Sequence, residues 1–288
     1  MPIPAAPWPV VFFGLAFGLV IGSFLNVVVY RLPRDESIAR PRSHCPSCKT
    51  PIAAWHNIPV LSFLILRGRC AHCQVAISWR YPLVELATGL IFAGLVFVHG
   101  WTPMTVLWWA FAAALIASSG VDFDERWIPD ELSLGGLAVG LTLVPAARAL
   151  EGAELFGAFQ QSVIGALLGG GILWLVGFSH ARVSAALGRS FEHWPGEGEE
   201  PPRPGSLDYW VWFPGLGFGD VKLMAMVGAF LGPQVVMPVI LLAALLGLVL
   251  GLLLTFGRGD LGVPFGFGPA IAAAALVGSF VPHAFGLI

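Results

Sequence analysis

Eight apolar runs, at roughly 10–30, 83–99, 104–121, 132–147, 161–178, 219–231, 235–256 and 265–284, constrain this chain more than any other feature. Most approach the ~20 residues a spanning helix needs. A bilayer core offers no water to backbone N–H and C=O groups, so apolar runs of this length satisfy them internally, as helices. Composition agrees: 11% of the 288 residues are charged against 57% apolar, with a mean hydropathy of +0.80. That is too little charge to clothe a soluble globule of this size. The expectation is an all-α polytopic membrane protein with about eight transmembrane helices. The sixth run, short because it ends at Gly232-Pro233 and carrying Lys222, leaves a six- or seven-span reading open. The start, MPIPAAPWPV, has neither a cationic n-region nor a cleavage site after the run, so the first run is expected to be a retained span.

The first run carries Gly14, Gly18, Gly22 and Asn26 at four-residue intervals. One helical face is thereby made of small residues where a second helix can approach, with Asn26 available to a polar partner. The basic residues orient the bundle. Connections after spans 1, 3, 5 and 7 hold Arg31 to Arg80, then Arg126, then Arg182, Arg189 and Arg203, then Arg258. The opposite connections hold essentially Arg148. With Lys222 counted at its near end, fourteen of the fifteen Lys and Arg residues share one side, which the positive-inside rule makes the cytoplasm. Both termini then face outward.

Residues 31–82 form the first polar segment and contain all four cysteines, as Cys45-Pro-Ser-Cys48 and Cys70-Ala-His-Cys73, with 21 residues between the pairs. Two CxxC pairs at this spacing predict a zinc-ribbon-like module, four thiolates around one tetrahedral metal. Two disulfides are the competing reading, and a cytoplasmic location disfavours them. A closed four-thiolate site has no position left for water, so the zinc is expected to be structural. The segment's eight basic residues against Asp35 and Glu36 suit contact with anionic membrane lipids.

Three carboxylates stand inside or at the edge of apolar runs, where an ionisable group is costly. Glu85 is expected in the first turn of the second span, where either helix-dipole stabilisation or chemistry accounts for it. Asp122 ends the third span and is the most apolar-facing acid of the stretch Asp122-Phe-Asp-Glu-Arg-Trp-Ile-Pro-Asp130. Asp124, two residues on, points nearly the opposite way on a helix, and Asp130 reads as the start of the next helix. Asp220 closes Gly217-Phe-Gly-Asp220; it is either a helix cap or, given glycines that permit close backbone approach, a functional acid. Asp122 and Asp220 both fall at cytoplasmic ends, so a bundle can bring them together. Two carboxylates in one partly dry site share a proton, leaving one to act as base on water, which is the chemistry of peptide hydrolysis.

These residues, taken with Gly22-Ser-Phe-Leu-Asn-Val-Val-Val-Tyr-Arg-Leu-Pro33, Asn57-Ile-Pro-Val-Leu-Ser62, Arg67-Gly-Arg-Cys70, Arg80-Tyr-Pro-Leu-Val-Glu85 and Gly217-Phe-Gly-Asp-Val-Lys-Leu223, resemble the bacterial type IV prepilin leader peptidase / N-methyltransferase family. The resemblance implies an intramembrane aspartic endopeptidase of the bacterial inner membrane. Such an enzyme removes the basic leader from prepilins and pseudopilins of pilus or type II secretion systems, cutting after a glycine with Asp122 and Asp220 as its catalytic pair. It further implies N-methylation of the new amino terminus with S-adenosylmethionine. That donor has no glycine fingerprint in this sequence, so the second activity comes from the resemblance alone. Val263-Pro-Phe-Gly-Phe-Gly-Pro269 resembles a family turn with two extra residues.

The expected organisation is a first helix (1–30), the four-cysteine zinc module (31–82) and a peptidase core (83–288). A longer cytoplasmic insertion at 179–214 contains the flexible stretch Gly196-Glu-Gly-Glu-Glu-Pro-Pro-Arg-Pro-Gly205. The alternative is a multi-span ion or solute transporter with a cytoplasmic metal-binding module. It predicts acids near mid-span or inverted repeats, and neither is found. Nucleic acid is not an expected partner, because the topology already explains the basic excess of the tethered module.

Overall fold

A computed structural model describes residues 6–189, 191, 194, 200, 202–258 and 266–280. The α-helices among the described residues are α1 (Trp8–Arg31), α2 (Leu61–Ile65), α3 (Arg80–His99), α4 (Pro103–Glu125), α5 (Asp130–Leu150), α6 (Leu155–Ala186), α7 (Asp208–Val211), α8 (Phe218–Leu231), α9 (Pro233–Arg258) and α10 (Gly268–Phe280). Among the described residues there are no strands, only isolated bridges. Six helices, α1, α3, α4, α5, α6 and α9, are long and apolar enough to cross a membrane. The chain is a multi-pass membrane protein with six such helices rather than the eight expected: among the described residues the sixth and eighth apolar runs form the shorter helices α8, of 14 residues, and α10, of 13. By contacts the chain divides into two units, residues 1–121 and 122–288.

In the first unit the glycine stripe of α1 lies on α3. A Cβ at Gly18 would stand 2.8 Å from the Gly89 Cα, and one at Gly22 would stand 2.7 Å from the Glu85 Cα. In lipid there is no water to expel between helices, so the gain comes from van der Waals contact, and glycine admits the neighbouring backbone. Asn26 meets the expected polar partner, donating from Nδ2 to the Tyr81 carbonyl at 3.2 Å. Trp109 of α4 stacks on Phe92 of α3 at 5.1 Å and donates Nε1–H to the Phe92 carbonyl at 3.0 Å.

The second unit is built around α8, whose residues from Asp220 to Leu231 are buried apart from Lys222 and Ala225. Its fourteen residues span about 21 Å, less than the ~30 Å hydrocarbon core. It is apolar nearly all round because protein surrounds it. Gly165 of α6 and Gly228 of α8 meet backbone to backbone: a Cβ on Gly165 would lie 2.0 Å from the Gly228 carbonyl oxygen. Gly140 of α5 makes room instead for side chains: a Cβ there would lie 2.7 Å from the Ala229 Cβ. Arg148, the lone basic residue of its side, donates Nη2–H to the Phe230 carbonyl at 2.8 Å.

Of the insertion at 179–214, residues 190, 192, 193, 195–199 and 201 lie outside the described set. Half of the stretch expected to be flexible, residues 196–199 and 201, therefore lies outside it too. Phe178, Trp174 and Trp210 stack beside it.

Candidate active site and metal centre

The four cysteines come together as two copies of one small turn. Cys45 donates its N–H to the Thr50 carbonyl and Lys49 donates back to the Cys45 carbonyl, at 3.0 and 2.9 Å. Cys70, Val75 and Gln74 repeat the pattern at 2.9 and 3.1 Å. Lys49 and Gln74 hold matching positive φ of 57° and 59°, and His44–Pro51 and Arg69–Ala76 pair as matching bridges. Each turn aims both thiols inward, and the four sulfurs lie within 4.8 Å of one another. Cys45 Sγ and Cys73 Sγ are 3.8 Å apart, the edge of a tetrahedron with metal–sulfur bonds of about 2.3 Å. The donor set fits one tetrahedral metal ion. Bonds to the Thr50 side chain and backbone lower the Cys48 thiol to about 6. N–H groups of Cys73 and His72 lower Cys70. For Cys73 the Val75 N–H alone would lower the thiol, but desolvation and the three other sulfurs outweigh it and push it up to about 11. Four thiolates cannot share this space without a cation.

Asp122 stands at the end of α4, 4% exposed. The helix stops just after it, because Arg126 turns to φ 60° and Pro129 begins the next element. Its Oδ2 accepts the Gly268 N–H at 2.8 Å from the start of α10. The 266–268 backbone presses so closely that a Cβ at Gly266 would fall 2.0 Å from that oxygen, and one at Gly268 2.8 Å. Val263, Pro264 and Phe265 of the turn expected here lie outside the described residues.

Asp220 is 6% exposed and is the third residue of α8. Its Oδ2 accepts the Gly217 N–H at 3.0 Å, so the cap reading of this residue holds for one oxygen. Gly219 admits Ile128, which lies 3.1 Å from where its Cβ would stand. Lys222, one turn along, pairs with Asp130 at the start of α5. Asp130 does begin a helix as expected, with its carboxylate turned to Lys222. These contacts tie the N-terminus of α8 to the turn that follows Asp122.

The two carboxylates are near enough for the Asp122 charge to act on Asp220. Among the described residues the second oxygen of each has no hydrogen-bond partner, and neither is sealed from solvent. Asp124 and Glu125 are exposed beyond them. The third acid departs from expectation: Glu85 lies in the second turn of α3, past the reach of first-turn dipole stabilisation. It accepts the Val60 N–H at 2.7 Å instead.

Residues 109–252, half the chain and the part carrying both aspartates, match the family model described as type IV leader peptidase family. The chain belongs to the type IV leader peptidase family. Residues 16–99, which carry most of α1, the cysteine cluster and α3, match the bacterial peptidase A24 N-terminal domain. Among similar leader peptidases is the prepilin leader peptidase/N-methyltransferase of Burkholderia pseudomallei (strain 1026b), 35% identical over 96% of this chain and 87% of its own length. The same name belongs to a Neisseria gonorrhoeae protein at 33% identity, covering 90% and 86%, and to a Stutzerimonas stutzeri protein at 36%, covering 94% and 90%. No solved structure matches. Nothing in these likenesses favours a transporter.

The motifs pointed to both aspartates and to all four cysteines. They did not point to the Gly268 N–H on Asp122 or the Lys222–Asp130 pair, although the glycines of 263–269 and the Pro-Asp and Asp-Val-Lys sequences were visible signals for them.

Proposed function

We propose that the protein is an aspartic endopeptidase that removes the leader from prepilins and pseudopilins, with Asp122 and Asp220 as its catalytic pair. The observation that carries this is the burial of two carboxylates in electrostatic reach of each other, each anchored by a backbone N–H through one oxygen and open through the other. Such a pair keeps one proton between its members. The ionised member takes a proton from water as it attacks the scissile carbonyl, and the protonated member donates to the leaving amine. The Gly268 and Gly217 N–H groups fix the orientation of both acids while this occurs.

Topology supports cleavage at the cytoplasmic face of the inner membrane, since Asp122 and Asp220 lie on the side that holds the basic connections. A leader rich in Lys and Arg stays on that side by the same rule. The cysteine module holds one structural zinc, which contributes folding energy and takes no part in cleavage. Methyl transfer from S-adenosylmethionine to the new amino terminus is the second activity, as the relatives' names suggest. The division into a helix at 1–30, a zinc module at 31–82 and a peptidase core at 83–288 follows these roles.

The test is incubation of purified full-length protein with a prepilin, reading the product by mass. Loss of the leader after its glycine is expected, followed by a gain of one methyl when S-adenosylmethionine is added. An intact prepilin with correctly inserted, zinc-loaded protein would contradict the reading.

A further inference from the structure

One outer face of the polar segment between α1 and α3 is the reverse of a water-facing one. Residues 50–66 hold no Asp, Glu, Lys or Arg, although eight basic residues lie on either side of them, from Arg31 to Arg80. Within this run α2 turns its polar residue inward and its apolar ones out. Ser62 is 7% exposed, while Leu64 and Ile65 stand at 60% and 77%. Ser62 Oγ accepts the Ile58 N–H and donates to the Trp55 carbonyl, both at 3.0 Å. Trp55, Ile58 and Leu61 are themselves exposed. An apolar patch rimmed by charge marks an interaction surface.

The neighbours of the patch say what covers it. Phe63 of α2 packs against Trp79, with ring centroids 4.7 Å apart. Trp79 heads a stripe with Leu83, Leu86 and Leu90, all exposed and all on one face of α3 by helical spacing. On a helix that crosses the bilayer such a stripe faces lipid, and the patch continues it. Depth agrees. Val60, just before α2, donates its N–H to Glu85, which lies five residues past Arg80 and so about 7.5 Å along α3. An in-plane amphipathic helix lies about 5–10 Å into the boundary between headgroups and acyl chains. The backbone suits a medium poor in water, because Ser62, Leu64, Leu66, Arg67 and Gly68 all donate their N–H groups to carbonyls within residues 58–64. Arg67 and Arg69 follow the apolar run at once and are exposed, and Trp55 and Trp79 carry the indole rings that favour a membrane interface.

We propose that the outer face of residues 55–65 is a membrane-docking surface, lying in the plane of an anionic leaflet at the boundary of headgroups and acyl chains, with Arg67 and Arg69 at the lipid phosphates. Lipid then holds the four-cysteine module on this face, in addition to the two helices that tether it. The proposal rests on α1 and α3 crossing the bilayer and is independent of cleavage and of methyl transfer.

The test uses full-length, zinc-loaded protein in vesicles of phosphatidylethanolamine and phosphatidylglycerol. Photoreactive benzoylphenylalanine is placed at Leu64 or Ile65, at Leu90 as the site within a span, and at Ser47 as an exposed site outside the patch. After illumination the adducts are read by mass. Lipid adducts are expected at Leu64 and Ile65 as at Leu90, with none at Ser47. With the probe moved to Trp55, the double substitution Leu64→Glu and Ile65→Glu should abolish the lipid adduct while zinc content stays at the wild-type level. Arg67→Gln with Arg69→Gln should weaken docking by about fivefold per arginine, since each basic residue near an anionic surface contributes about that factor, and vesicles of phosphatidylcholine should mimic this loss. Absence of lipid adducts at both Leu64 and Ile65 while Leu90 yields them would overturn the proposal. Adducts at those two positions with added prepilin in place of lipid would overturn it as well, and would make the face a substrate surface.

Discussion

The cysteine cluster and the aspartate pair are both small constellations of ionisable groups, yet they are assembled by opposite means. The cysteines sit on two short turns with the same internal hydrogen bonds, and everything that aims a thiol lies within about six residues of it. Asp122 is aimed from far away in sequence, by the Gly268 N–H 146 residues on, and although the Gly217 N–H holds Asp220 locally, the helix that carries it is tied to α5 by the pair of Lys222 and Asp130, 92 residues apart. A local site is robust to change elsewhere and fragile to loss of its metal. A site assembled from helix ends needs no metal but depends on backbones that leave no room for a methyl group.

The sharpest way to break the comparison is a single carbon. Gly266→Ala would place a Cβ 2.0 Å from Asp122 Oδ2, so either the carboxylate or the turn must move. A displacement of about 1 Å costs on the order of 100-fold in rate. Cleavage at saturating prepilin should fall by at least that much, with zinc content unchanged.

Cys45→Ser makes the reciprocal cut. Elemental analysis should read one zinc per wild-type chain and nearly none in the variant. Residues 32–79 should become sensitive to limited proteolysis, because ligand loss removes folding energy. The aspartate pair should keep most of its activity in surviving protein. Cleavage lost in proportion to zinc would mean that the two regions are not independent.

A smaller effect is expected from Asp130→Asn. Its ion pair with Lys222 is part exposed, with the Asp side chain at 58%, and such pairs contribute about 1 kcal/mol at most. A loss of about fivefold or less in cleavage is the outcome that fits a positioning role. Smallest of all should be deletion of residues 192–206, which removes an acidic stretch near a basic leader. Activity should persist at high substrate, and any rise in KM should vanish with added salt. Complete loss from a folded deletion would move the insertion into the active site.

What was legible in the sequence follows the same division. The six spanning helices could be read because lipid demands long uninterrupted runs, and the metal cluster because its spacing is local. The α1 glycine stripe named its own face, though not that α3 would cover it. Glu85 was visible as an acid in an apolar run, but its partner Val60 was not, since nothing marks a valine that will adopt a positive φ. Lys222 made the sixth run look doubtful, yet α8 forms and is the most enclosed helix of its unit. The salt bridge to Asp130 explains how the lysine is tolerated. The approach of the 266–268 backbone to Asp122 is a property of packing between distant segments, which no local pattern encodes.

The central claim is that Asp122 and Asp220 act as one unit, and the direct measurement is a double-mutant cycle on prepilin cleavage. Asp122→Asn and Asp220→Asn keep size and remove the exchangeable charge, so each should abolish cleavage while zinc content and membrane insertion stay as in wild type. Groups that share one step are not additive, so the double variant should be little worse than either single one. Asp124→Asn, an exposed acid two residues along, should retain cleavage. Additive losses would contradict a shared step, and cleavage by either single variant, or its loss in Asp124→Asn alone, would contradict the pairing itself.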